Sequence, residues 1–286
     1  IQAAIHASRK KTHVLLLGRI ENSAIYPAHV ENYACISGVS DGRTLLEAGM
    51  RQLERFGTEV RPDDVLKIAR EEDELFTLEL ESGDSVMTRT IIFAMGVSKN
   101  KLAVRGEKEL SACGVSYCVD CDANFYRNDT VMVVGNQSAA IDGALTLLDY
   151  AAKVYLVAEE LQGSEAMLKK LRNSAVELHT GEWVQEIMGT GKVEEVLLKS
   201  GNKISVDGVF IELGSKGALE LATQIGVLLD TEQFKYIDVN RKQETNIAGI
   251  YAAGDIVGPP YQMAKAVGEG CVAGMEAATF ARKKRR

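Results

Sequence analysis

The chain holds 286 residues, enough for one large domain or two medium ones that each bury their own core. Its 46% hydrophobic and 26% charged residues fit a globular protein, and a net charge of −7 argues against a general nucleic-acid binder. With no run of about 18 apolar residues and no secretory signature, nothing in it is expected to cross or anchor to a membrane. Five cysteines, an odd number in a long chain, do not make a disulfide-stapled secreted scaffold, and a reducing cytoplasm is the expected location.

The stretch 3–18, AAIHASRKKTHVLLLG, predicts a small-residue helix, a basic turn and a strand. Residues 78–96, LELESGDSVMTRTIIFAMG, predict a strand, a Ser-Gly-Asp turn, a second strand and a buried strand ending in glycine. Residues 131–140, VMVVGNQSAA, have the layout of a dinucleotide-binding turn: a strand over Thr130–Val134, a tight bend and a helix starting near Ser138. The first pattern then returns as GALTLLDYAAKVYLVA (143–158) and the second as VLLKSGNKISVDGVFIELG (196–214). One order of elements used twice predicts two similar α/β modules. The first lacks a counterpart to Thr130–Val134, because Ile1 already falls inside its helix. The expectation is a natural chain starting roughly a dozen or more residues earlier, with a strand and a glycine-rich turn.

Between the modules lies SYCVDCDANFYRN (116–128). Cys118 and Cys121 form a C-x-x-C with Asp122 directly after it, a spacing that lets two thiols close a small disulfide and lowers one thiol's pKa, to ~7 in thioredoxin-like cases. A neighbouring carboxylate can accept and return the proton that the exchange moves. A zinc half-site completed by Cys113 and a pair of inert thiols are the alternatives, although zinc seeks about four ligands and no histidine lies in this window. Cys35, Cys113 and Cys271 read as small core residues.

With HVENY (29–33), AMGVS (94–98), SYCVDCD (116–122) and YAAGDIVGPPYQMAKAVGEG (251–270) in this order, the chain resembles the low-molecular-weight thioredoxin reductases. The resemblance covers nearly its whole length. It implies two Rossmann-like α/β modules, with an FAD domain over 1–108 and 238–286 interrupted at 109–237 by a smaller nucleotide-domain-like module carrying the redox pair. It also implies an FAD cofactor, thioredoxin as partner and a homodimer. Carried over, Cys118, Cys121 and Asp122 are the catalytic residues. Asp255 after Gly254 holds the flavin's ribityl chain, Gln262, Met263 and Ala264 lie against the ring, Asn32 stands beside it, and Ala94 and Gly96 form a turn passing the cofactor. The segment GRIENSAIYPA (18–28) departs from the family's Gly-Gly-Gln stretch.

The nucleotide motifs of the second module depart further. The family's Gly-x-Gly falls on Val134, Gly135 and Asn136, and Glu159 and Glu160 of VAEELQ (157–162) stand where the NADPH-dependent members carry arginines for the 2′-phosphate. Carboxylates there repel a phosphate. The chain is therefore most similar to the ferredoxin-dependent flavin thioredoxin reductases, in which a reduced iron–sulfur protein is the donor. Ferredoxin near −400 mV and thioredoxin near −270 mV leave a gap of ~130 mV, roughly 6 kcal/mol for two electrons. An NADH-dependent reductase, with Glu159 accepting from a ribose, and a catalytically silent redox sensor are the competing readings. The same resemblance implies domain rotation about 108–116 and 235–240. Two basic islands, SKNKLAVRGEK (98–108) and ARKKRR (281–286), are candidates for steering an acidic donor.

Overall fold

The computed structural model describes residues 1–34, 36–96, 101–214, 217–231 and 234–283. Cys35, residues 98–100 of one basic island and the last three residues of the other lie outside the described residues, as do Val97 and Ser98 of AMGVS. Seven helices run through the described residues: α1 (Gln2–Arg9), α2 (Gly42–Arg55), α3 (Val119–Asp122), α4 (Ser138–Leu147), α5 (Glu165–Arg172), α6 (Ala218–Gln224) and α7 (Met263–Lys283).

The duplication is borne out strand by strand. In the first unit the antiparallel strands Val65–Arg70, Phe76–Leu80 and Ser85–Thr88 precede Ile91–Phe93. In the second, Val184–Met188, Glu195–Leu198 and Lys203–Ser205 precede Gly208–Ile211. Alternation along Phe76–Leu80, with Phe76, Leu78 and Leu80 buried, sets which face of the hairpin meets the core. The second unit's main sheet is parallel and five-stranded, in the order Glu177–Thr180, Lys153–Ala158, Thr130–Val134, Gly208–Ile211, Val115–Ser116. Val131 to Val134 are fully buried, as a central parallel strand requires when helices α4 and α5 cover one face and the antiparallel strands Val184–Met188 and Glu195–Leu198 the other. In the first unit the counterparts stand as two separate parallel pairs, Leu15–Leu17 with Glu59–Arg61 and Ile91–Phe93 with Ile250–Ala252.

Helix α7 crosses back over α1 through small residues. A Cβ on Gly274 would overlap the Ala3 carbonyl, so the two backbones touch only because no side chain separates them. Segment 218–229, placed with the second module by the sequence division, packs instead in the first unit's core: Ala218, Leu221, Ala222 and Val227 share a cluster with Phe76, Leu80 and Ile250. The chain thus recrosses before residue 237, because α6 offers an apolar face that matches the hairpin's buried face. No described helix is long and apolar enough to cross a membrane.

Candidate functional site

The cysteine pair sits where the edge strand Val115–Ser116 turns into α3. Cys118 and Cys121 are disulfide-bonded with Cα atoms 5.3 Å apart. Cys118 is the N-cap of α3, and its Sγ accepts the Cys121 N–H at 3.2 Å. That contact favours negative charge on Cys118 over Cys121. Cys121 is exposed and Cys118 half-buried. Ser116 holds both neighbours: its Oγ accepts the Cys118 N–H at 3.1 Å and donates to Asp122 Oδ2 at 2.6 Å. Ser116, which carries no sequence signal of its own, thus ties the Asp122 carboxylate to the backbone of Cys118.

The segment is pinned at both ends. Val119 packs against α4 at Gly143, where a Cβ would come within 2.9 Å of Val119 Cγ2. The Tyr126 ring lies over Gly208 and meets Phe210 edge-on at 5.1 Å. Beneath α3, Glu212 accepts the Val119 N–H, and Gln224 of α6 donates to Asp120. The strap leading in is fixed by buried Glu107, which accepts from the Leu102 and Ala103 amides and from Tyr117 Oη at 2.8 Å. Burial, and then that bond to Glu107, push the Tyr117 phenol up to about 12. Cys113, expected in the core, is an exposed free thiol. It lies in a turn between Ala112 and Gly114, both at positive φ, that loops out before the strand begins.

The residues expected near FAD gather at the carboxyl ends of the parallel pair Ile91–Phe93 and Ile250–Ala252, where ligands bind in open α/β sheets. Ala94 and Gly96 leave the first strand, Gly96 with φ +71°. Gly254 and Asp255 leave the second, with Ala253 N–H donating to the Phe93 carbonyl at 2.9 Å. Asn32 Nδ2 donates to Gln262 Oε1 at 2.9 Å, which brings HVEN to the start of α7 beside Met263 and Ala264. Below them Lys265 donates to the Gly254 carbonyl and to Glu269, while Glu269 accepts the Gly254 N–H. Among the described residues no hydrogen bond reaches the Asp255 carboxylate, and burial, opposed by Lys265 and reinforced by Glu269, raises its pKa. A half-buried acceptor without a donor beside a glycine-lined bend is what a polyhydroxyl chain needs, so these residues fit FAD.

The degenerate nucleotide turn is closed from the other unit. Ser138, the first residue of α4, donates through Oγ to Asp64 Oδ2 at 2.8 Å. Arg19 bridges Asp64 (2.8 Å) and Glu81 (3.1 Å), and Glu81 accepts the Ser164 N–H, the N-cap amide of α5, at 2.8 Å. Asp64 and Glu81 are only 8% and 6% exposed. Glu159 pairs with Lys199 at 3.0 Å.

The model of the pyridine nucleotide-disulphide oxidoreductases matches residues 1–270. A thioredoxin reductase of Listeria innocua is 30% identical over 97% of this chain and 89% of its own length. The chain spans 62% of a bifunctional thioredoxin reductase/thioredoxin of Mycobacterium leprae, also 30% identical, over 96% of its own residues. Among solved structures, the atypical thioredoxin reductase TRi of Desulfovibrio vulgaris Hildenborough superposes with a TM-score of 0.84 at 29% identity, covering 99% of this chain and 94% of that one. A ferredoxin-flavin thioredoxin reductase of Clostridium acetobutylicum superposes at 0.68 with 32% identity, covering 100% and 94%. The chain belongs to the pyridine nucleotide-disulphide oxidoreductases and, within them, to the FAD-binding thioredoxin reductases.

Proposed function

We propose that the chain reduces thioredoxin through the Cys118–Cys121 pair, with electrons from a reduced ferredoxin-type protein in place of NADPH. The observation that carries the choice of donor is the seam across the second unit. In a nucleotide-binding module the amino ends of the helices after the first two strands face the phosphates. Here those ends already hold carboxylates of the same chain, Asp64 at Ser138 and Glu81 at Ser164. A dinucleotide would bring its phosphates against two carboxylates that, among the described residues, share a single cation, Arg19, and Glu160 stands at the end of the next strand beside Glu159, itself paired with Lys199. The likeness to the Clostridium acetobutylicum ferredoxin-flavin reductase supports the same donor.

Asp255 would hold the ribityl chain, Asn32, Gln262, Met263 and Ala264 the ring, and Ala94, Gly96 and Gly254 the backbone bends around it. Bound FAD supplies a store that takes electrons singly and gives them in pairs. The chain's own groups handle the thiols: the Cys121 N–H favours the thiolate on Cys118, Ser116 keeps Asp122 in reach of the proton, and Cys118 attacks the partner disulfide while Cys121 resolves it. The FAD domain (1–108 and 238–286, with segment 218–229 in its core) and the redox module would turn about the strap at 108–116, in a homodimer of a reducing cytoplasm.

Donors added anaerobically to the flavin-loaded protein test the reading through loss of visible flavin absorbance, with thioredoxin disulfide present. Bleaching by reduced ferredoxin alone, with thiols appearing on thioredoxin, is the expected result. Bleaching by micromolar NADH or NADPH overturns the choice of donor. Turnover retained by Cys118→Ser or Cys121→Ser overturns the assignment of the pair.

A further inference from the structure

Ser116 ends the edge strand Val115–Ser116, in register with Phe210 of the parallel sheet, and is 5% exposed. Its hydroxyl accepts the Cys118 N–H at 3.1 Å and donates to Asp122 Oδ2 at 2.6 Å. The Cys118 carbonyl, at 3.3 Å, is the longer of the two directions open to its one hydrogen, and that carbonyl accepts the Asp122 N–H at 3.2 Å. Both backbone groups of Cys118 are thus held by residues 116 and 122, which stand on either side of the redox pair. A serine that only turned the chain out of the strand would need the Cys118 bond alone. The bond to Asp122 reaches six residues on, past both cysteines.

The geometry points to Ser116 as a positioning residue, whose clasp on Asp122 keeps the loop 116–122 closed when the S–S bond opens and so favours the disulfide over the open dithiol. The proposal rests on the reading of Cys118 and Cys121 as the working pair. None of the three clasp bonds uses a sulfur atom, so reduction does not itself break them. Reduction cleaves one S–S bond, adds two electrons and two protons, and leaves two thiols. With the loop held, each thiol stays beside the other at high effective concentration. Without the clasp, the loop gains conformational freedom in the open state, where no S–S bond restrains it. The coupling is reciprocal: the disulfide strengthens the clasp by the factor by which the clasp favours the disulfide. Asp122 acts here through its oxygen as an acceptor, and its charge is not required.

The test needs neither donor nor thioredoxin. The flavin-loaded full chain is equilibrated at pH 7 with mixtures of dithiothreitol and its cyclic disulfide, which gains the S–S bond that the protein loses. Open pairs are quenched with acid, alkylated and counted by mass spectrometry on the peptide holding Cys118 and Cys121. S116A should open more easily, its equilibrium constant for reduction rising about fivefold, or ~20 mV for two electrons, the scale of one hydrogen bond. S116T, which keeps the hydroxyl, should follow the wild type. D122N keeps an oxygen for Ser116 and should do the same, whereas D122A should match S116A. The double variant S116A/D122A should go no further than either single one, since all three remove the same bond. If S116A does not fold, D122A against D122N carries the test. An unchanged equilibrium in S116A, additive effects in the double variant, or a shift in D122N as large as in D122A overturns the proposal. A wild-type pair that dithiothreitol does not open overturns the parent reading, and the role of the clasp with it.

Discussion

Removing the Asp64 carboxylate should loosen the two units from each other. In Asp64→Ala, Arg19 loses one of its two carboxylates and the Ser138 hydroxyl, buried at 1% exposure, loses its acceptor. Breaking a buried ion pair by deleting one member costs about 3–5 kcal/mol. Arg19 is 34% exposed and keeps Glu81, which brings its share below that range, to ~2 kcal/mol. The stranded Ser138 hydroxyl adds about 1–2 kcal/mol. A total of about 3–4 kcal/mol corresponds to a fall of roughly 6–12 °C in Tm for a chain of this size. Asp64→Asn, which keeps an acceptor for Ser138, should lose about half as much. The assay is urea and thermal unfolding of the flavin-loaded protein, with tryptic cleavage in the 101–117 strap reporting separation of the units. A cost below about 1 kcal/mol in Asp64→Ala would refute the reasoning, since the seam would then behave as a surface ion pair.

Gly274→Val should separate α7 from α1, costing about 2–4 kcal/mol of stability and weakening flavin retention, because α7 carries Met263 and Ala264 at its start. Gel filtration with absorbance at 450 nm against 280 nm reads both. Asp255→Ala should raise the flavin dissociation constant about tenfold, on the order of 1–2 kcal/mol for a lost hydrogen bond to a charged acceptor, with little change in the thiol chemistry of the pair. Tyr117, raised from 10 to about 12 in the folded chain, contributes stability that is complete below its unfolded pKa and is lost as pH rises through the folded one. Tyr117→Phe should therefore flatten the fall in stability between pH 10 and 12, read by urea midpoints across that range.

What could be read in the sequence was local. Two hairpins with the same turn, a buried strand closing each, and a helix starting at Ser138 are encoded within a dozen residues apiece, and all form. C-x-x-C-D was legible for the same reason. The seam was not, because Arg19, Asp64, Glu81, Ser138 and Ser164 span 146 positions and each reads alone as an ordinary loop or cap residue. Arg19 even lies in the segment noted only for departing from the family's flavin stretch. Segment 218–229 went to the other side of the division because its partner face, the 65–88 hairpin, lies more than a hundred residues earlier. Glu212 did leave a signal, a lone charge ending the run GVFIE in a strand otherwise apolar throughout.

The persistence of VVGNQSAA follows from what its remaining glycine touches. A Cβ on Gly135 would overlap the Glu212 carbonyl oxygen and press on Ala140 Cβ at 2.9 Å, so the bend requires glycine for packing between the sheet and α4. Backbone bonds tie the bend to its neighbours: Gly135 N–H donates to the Val157 carbonyl at 3.1 Å, and the Asn136 carbonyl accepts the Gln162 N–H at 2.7 Å. A phosphate cradle uses the amides of such a bend. Here the bend instead sets the height of α4, on which α3 and the cysteine pair rest through Gly143 and Val119. Gly135→Ala should accordingly cost about 2–4 kcal/mol, because backbone rather than a movable side chain blocks the methyl group. It should also speed alkylation of the reduced pair, since α3 loses its support, even though no nucleotide is present. Normal stability with unchanged thiol reactivity in that variant would mean that the glycine is kept for a phosphate after all.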